Sequence, residues 1–199
     1  MEKTSLKYKI AKWVSRIFHP FLIAVITLAL ATYKSGSPPA SVILWVGISF
    51  ATVILPVSLY ILWMVRKGKY SDVYVSIREQ RHSLYVVATL CLVALGVILA
   101  IGNPPVVVTA CIVSGVLANG IGMFVNRFTK ISVHSAAMAG CTAVLLVFAP
   151  IVGWIMVIAT LITGWARMVL KAHTIMQVVL GYLVASSSVM IAFLFFGLI

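Results

Sequence analysis

Long apolar stretches almost free of charge, separated by short basic patches, constrain this chain more than any other feature. Breakers and charges divide it into helices predicted near residues 16–33, 41–65, 84–102, 105–125, 133–149, 151–170 and 174–197. Stretches of this length and polarity are what repeated bilayer crossing requires. With 63% hydrophobic and 9% charged residues in 199, there is too much apolar surface for one water-soluble core. The expected fold class is therefore all-α: a polytopic integral-membrane helix bundle with six to seven transmembrane helices. The 133–149 run is the shortest, and only Ala149, Pro150 and Gly153 mark the turn that follows it. "SGSPP" (35–39) and "GNPP" (102–105) are plainer hairpin turns, because proline and glycine end helices there.

The opening thirty residues have the basic start and apolar middle of a secretory signal. The basic part is long, however, and His19 and Pro20 interrupt the apolar start, so an uncleaved first helix is expected. Of the fifteen lysines and arginines, all but Lys34 fall on one side of the predicted spans. Lys3, Lys7, Lys9, Lys12 and Arg16 precede the first span. Arg66, Lys67, Lys69, Arg78 and Arg81 follow the second, Arg127 and Lys130 the fourth, and Arg167 and Lys171 the sixth. The positive-inside rule puts that side, and the N-terminus, in the cytoplasm. The net charge of +12 sits beside apolar runs rather than in a basic tail, which favours anionic lipid headgroups over nucleic acid as partner. Homo-oligomerisation stays open.

Only Glu2, Asp72 and Glu79 carry carboxylate side chains, and none lies in a predicted span. Three scattered acids cannot hold a magnesium-diphosphate or a catalytic metal, cannot supply paired-carboxylate chemistry, and argue against a proton carrier that uses buried acids. No metal and no cofactor are expected. Cys91, Cys111 and Cys141 lie in apolar segments without CxxC spacing, as small buried hydrophobes do. Gly181 with Ala185 and Ala136 with Gly140, each four apart, offer close-packing helix faces.

What remains for chemistry is basic. Three segments on the charged side repeat one signature: Arg78, Arg81 and His82; Arg127, Lys130, Ser132 and His134; Arg167, Lys171 and His173. Converged on one face, such groups suit a phosphate. Arginine offers bidentate donors, lysine a point charge, and imidazole can attack or pass a proton near neutral pH. The plain alternative is that these cations are membrane anchors, which is the expected role of Lys3, Lys7, Lys9, Lys12, Arg66, Lys67 and Lys69. His19 is expected to be structural or interfacial.

In "ARMVLKAHTIMQ", Arg167, five residues, His173, three residues and Gln177 follow one another, and an apolar helix continues from them. About forty residues earlier stands "ISVH", with Ser132 and His134. Over roughly residues 70–195 the chain thereby resembles the type 2 phosphatidic acid phosphatase (PAP2) superfamily, whose third motif is Ser-Arg, five residues, His, three residues, Asp and whose second is Pro-Ser-Gly-His. Of the family's first motif, a lysine, six residues and then Arg-Pro, Arg81 matches the arginine, with Arg78 nearby to compensate; Tyr74 holds the lysine position and His82 that of the proline. The resemblance implies an N-terminal part, residues 1–65, with a basic arm and two transmembrane helices, and a PAP2-like catalytic core over 66–199. It implies metal-independent hydrolysis of a lipid phosphate. His173 would be the nucleophile that carries a phosphoryl group, and His134 would protonate the leaving oxygen. Arg81 and Arg167 would hold the phosphate oxygens, with Ser132 and Lys130 as further donors. Gln177 stands where the family has its carboxylate. Its carbonyl, one helical turn from His173, can accept the ring proton but cannot stabilise imidazolium as an acid does. Ala166 and Val133 replace the motif's serine and glycine. The competing reading is a catalytically impaired relative that binds or moves anionic lipids, and a small transporter is a third.

Overall fold

The computed structural model describes residues 5–199, so Glu2 and Lys3 of the charge argument lie outside the described residues. Nine α-helices make up this part of the chain: α1 (Leu6–Ile17), α2 (Pro20–Lys34), α3 (Pro39–Ser49), α4 (Leu55–Arg66), α5 (Arg81–Gly102), α6 (Val106–Val125), α7 (Val133–Phe148), α8 (Pro150–Val169) and α9 (Ile175–Phe195). A π-helical turn, Phe50–Ile54, joins α3 to α4, and the three form one helix from Pro39 to Arg66. Its cause is in the sequence: Pro56 lacks an N–H and its ring would meet the Thr52 carbonyl in a regular α-helix, a clash that a wider turn relieves.

Five helices are long and apolar enough to cross a membrane, and a sixth follows if the bent pair α1 and α2 is one span. That is the make-up of a multi-pass helical membrane protein. Two expected elements differ. The first helix was expected near 16–33, but the chain breaks at Phe18–His19 and bends by 45° between α1 and α2. Pro20 is the reason, since the residue before a proline is pushed out of the α region, and His19 is extended (φ −68°, ψ 131°). The other is α7, whose 16 residues reach only about 24 Å at 1.5 Å each, short of a hydrocarbon core of about 30 Å.

Its position explains how α7 can be short. It is the innermost helix, with His134, Ser135, Met138, Ala139, Cys141, Thr142, Val144 and Leu145 buried, and α2, α8 and α9 pack around it. Close approach depends on glycine. A Cβ at Gly153 would come within 2.6 Å of the Leu146 backbone, and one at Gly181 within 2.9 Å of the Ser132 carbonyl oxygen. The two small-residue pairs face each other, since a Cβ at Gly140 would lie 3.5 Å from that of Ala185 and one at Gly181 would lie 3.2 Å from the Ala136 nitrogen. Buried hydroxyls add polar ties where water is absent. Thr142 and Thr160 are joined Oγ1 to Oγ1 at 2.8 Å, and Tyr182 donates to the Thr160 carbonyl at 2.8 Å.

Turns at the end remote from the basic loops follow the sequence signals. Gly36 has φ 88° in "SGSPP", and Asn103 closes α5 in the left-handed region (φ 51°) ahead of two prolines. α1 packs on α8 and α2 on α7.

Candidate functional site

At the basic end, three connecting segments meet: 67–80 between α4 and α5, 126–132 between α6 and α7, and 170–174 between α8 and α9. The last is shaped by the end of α8. Lys171 adopts φ 53°, the Lys171 and Ala172 N–H groups donate to the carbonyls of Met168 (2.9 Å) and Arg167 (3.1 Å), and the His173 N–H also donates to Arg167 (3.4 Å). This left-handed cap folds the chain back on itself. Five residues of spacing thus become proximity: His173 returns over the turn that carries Arg167.

α9 then starts with a reciprocal cap. The Gln177 N–H donates to Thr174 Oγ1 at 3.4 Å, and Gln177 Oε1 accepts from the Thr174 N–H at 3.3 Å. The same Oε1 lies 3.1 Å from His173 Nδ1, while Gln177 Nε2 donates to Thr129 Oγ1 at 3.4 Å. Because the Thr174 N–H can only donate, the amide atom facing it and the ring is the oxygen; Oε1 accepts from the ring, so Nδ1 carries the proton and Nε2 keeps the lone pair.

Both guanidiniums are buried. Arg81, at the start of α5, donates from Nε to the Val75 carbonyl (2.8 Å) and from Nη1 to the Ile131 carbonyl (2.7 Å), joining two of the segments. Arg167 reaches only Ser15 Oγ, at 3.5 Å, and its Nε has no partner. The Tyr74 ring lies between Arg167 (5.7 Å from the guanidinium carbon) and His134 (5.9 Å between ring centroids). His134 also meets His19 edge to face at 5.9 Å, and its Nε2 is buried without a partner. Lys130 Nζ donates to the Ser76 carbonyl at 3.3 Å, near enough to Arg81 and Arg167 for their charges, after burial, to lower its pKa.

Positive charge here is poorly offset. Asp72 is the nearby carboxylate; although burial works against it, hydrogen bonds from Ser71, Ser76 and the Tyr74 backbone keep its pKa below the usual value. Those bonds already occupy its oxygens. For His173, burial and then the Arg81 and Arg167 charges push the pKa down to about 3, against a smaller upward pull from Gln177. The ring is accordingly neutral at physiological pH. Buried cations and an unpartnered guanidinium nitrogen make a place where an anion is welcome.

Not every predicted residue joins this cluster. Ser132 is fully buried as the N-cap of α7, its Oγ accepting from the Ser135 N–H (3.3 Å) and hydroxyl (2.9 Å), while its own N–H donates to the Gln177 carbonyl at 3.1 Å. Its hydroxyl is occupied by structure. Arg78 pairs with Glu79 at 3.1 Å and donates to the carbonyls of Arg127 (3.3 Å) and Phe128 (3.0 Å), tying loop to loop. His82 is exposed and lines a separate small pocket with Arg78 and Arg127. In the other direction, Ser15, His19, Tyr74 and Thr129 touch the cluster without having been singled out as site residues. A signal for Ser15 exists in hindsight: Ala11 and Ser15 are the small pair, four apart, in a helix otherwise of large or charged side chains.

Beneath the cluster lies a cavity of about 410 Å³, walled by α2, α3 with its π turn, α5, α6, α7 and α9. Ile131 and Val133, which flank Ser132, and Tyr85, one turn beyond Arg81, form part of its wall. It continues past Ala137 and Gly140 to Val144 and Val189 in the apolar interior. Its lining is almost wholly apolar, the character of a hydrocarbon site.

No protein-family model, no curated protein and no solved structure matches this chain. Among the described residues, no three His, Cys, Asp or Glu side chains are grouped to hold a metal ion.

Proposed function

We propose that the chain is a metal-independent membrane phosphatase of the PAP2 type that hydrolyses a lipid phosphate through a phosphohistidine. The carrying observation is the pairing of His173 Nδ1 with Gln177 Oε1 at 3.1 Å beside two buried guanidiniums, one of them unsatisfied. A neutral imidazole with its outer nitrogen free is a competent nucleophile, and the cations supply the stabilisation that a transferring phosphoryl group needs.

In this reading, His173 Nε2 attacks the phosphorus of a monoanionic phosphate ester as the ester P–O bond breaks, and His134 passes the phosphate's own proton to the leaving oxygen. Water then attacks the phosphohistidine, releasing inorganic phosphate and restoring the neutral ring. Arg167 and Arg81 grip the non-bridging oxygens, with Lys130 as a further cation. The tail of a phosphatidate-, phosphatidylglycerophosphate- or polyprenyl-phosphate-like substrate fits the apolar cavity, so bilayer residence helps to position the headgroup. Fourteen of the fifteen lysines and arginines lie on the side of the predicted spans that carries the site, which favours the cytoplasmic face.

The test is phosphate release from a panel of lipid phosphates by the purified protein in EDTA. Chelator-resistant turnover that His173→Ala abolishes is expected. Equal release by both proteins, or none across the panel, rejects the reading in favour of a relative that binds or moves anionic lipids. One observation favours that second reading: Gln177 in the acid's place is already used as a helix cap, and Ser132 likewise.

A further inference from the structure

α1 has three faces. Leu6, Ile10, Trp13 and Ile17, spaced by three and four, project from the bundle with 74, 45, 61 and 57% of their surfaces exposed. Lys9, Lys12 and Arg16 form a second exposed stripe beside them, and the Arg16 guanidinium lies 5.6 Å from the Trp13 ring centre. Ala11 and Ser15, both buried, face the protein, where α1 packs on α8. At 100° per residue, the apolar set spans a narrow arc and the three cations the next.

A solvated helix has no use for four exposed large apolar side chains in line, and a spanning helix would not carry Lys7, Lys9, Lys12 and Arg16. Apolar side chains on one face with lysine and arginine beside them are the make-up of a helix lying in a membrane interface. The 45° break at His19–Pro20 lets α1 leave the direction of α2. Its inner face matters as much. Ser15 accepts from Arg167, and His19, just past α1 at the N-cap of α2, stands against His134.

We propose that α1 is seated on an anionic lipid surface and that, so seated, it holds Ser15 and His19 over the Arg167–His134 cluster and closes it towards water. The occupant of the exposed face is a bilayer containing acidic phospholipid, chosen over a protein partner because apolar and cationic stripes lie side by side along the helix. The proposal is independent of the phosphatase reading, and no arm of its test measures turnover.

The full chain, with its three native cysteines replaced by alanine, is placed in nanodiscs of phosphatidylcholine with or without phosphatidylglycerol. A fluorophore is attached at Ile10→Cys or at Lys12→Cys. The label at position 10 should be quenched by bromine on the lipid chains and the label at position 12 by aqueous iodide, with phosphatidylglycerol strengthening the first. Replacing Lys9, Lys12 and Arg16 by glutamine should weaken seating of the position-10 label by roughly fivefold per cation removed. Equal quenching at both positions, or no response to phosphatidylglycerol, overturns the lipid seat. Closure is read from diethyl pyrocarbonate modification of His134, followed by peptide mass spectrometry with exposed His82 as internal control. In phosphatidylcholine alone, or in the charge variant, His134 should react several-fold faster than in phosphatidylglycerol discs. Equal rates overturn the closure. The lipid comparison uses native α1 charges, so a misfolded charge variant cannot hide the outcome.

Discussion

At the scale of single residues, Gln177 carries the largest question. It holds the His173 ring through Oε1 and caps α9 with the same atom. Gln177→Asp should raise the phosphate-release rate if the surrounding cations already assemble a working site, because a carboxylate stabilises the imidazolium-like charge that develops during transfer. Single-turnover release in EDTA measures it. Gln177→Leu should lose both roles, with a stability loss of about 1 kcal/mol from the hydrogen bond to the Thr174 N–H alone. Acid should also act through His173. Its folded pKa of about 3 lies below the ordinary 6.5, so between those values the unfolded chain binds a proton that the folded one refuses. The stabilisation is whole above about 6.5 and is lost as pH falls towards 3, with a slope from this group of roughly 1.4 kcal/mol per pH unit. Thermal unfolding in detergent from pH 7 to 4 should show it, and His173→Gln should flatten the slope. What the sequence displayed at this scale was spacing. Arg167, His173 and Gln177 are legible because a left-handed cap and one helical turn convert their separations into contact. The bonds that engage Ser132 and Arg78 were not legible, because a hydroxyl at a helix start and an arginine in a loop look alike whether they meet a ligand or the protein itself.

Among the elements, the approach of α9 to the start of α7 decides whether the two histidines share a site. Gly181 permits it, and a Cβ there would press on the Ser132 carbonyl and the Ala136 nitrogen. Gly181→Leu should therefore push α9 outward, breaking the Ser132-to-Gln177 hydrogen bond and cutting activity far more than it lowers expression. The same change at Gly120, where a Cβ would meet nothing within 4 Å, should leave activity near normal. Parallel assays of the two variants check this. Each small-residue pair marked a close-packing face in advance, as apolar runs and breakers marked the helices, but not which face meets which. The break ahead of α2 was partly plain: His19 and Pro20 interrupt the apolar run, but the charged stretch before them, expected as a basic arm, forms α1. The pairing of α1 with α8 had no long-range signal at all, because one sequence does not say which helices become neighbours.

For the whole molecule, the fold joins a polar cluster at one end to an apolar hollow running into the bundle. Ala137 lines that hollow, and Ala137→Phe should fill it. A long-tailed lipid phosphate should then show a raised KM while a short, water-soluble phosphomonoester is handled as before; an equal loss for both would mean general damage. The hollow was not visible in the chain, since it is made by small side chains from several helices that composition counts as packing. Membrane character and the basic end, by contrast, follow from composition and charge alone.

The widened turn at Phe50–Ile54 has a bearing on how this protein tolerates change in length. A π turn holds one residue more than an α-helix needs over the same rise. Deleting a residue there should convert Pro39–Arg66 to a regular helix with its two halves kept in phase, the cost being a renewed clash at Pro56. Deleting one from α6, which holds no spare residue, should be worse. A single-residue deletion scan read by melting temperature would reveal whether Phe50–Ile54 is the tolerant stretch.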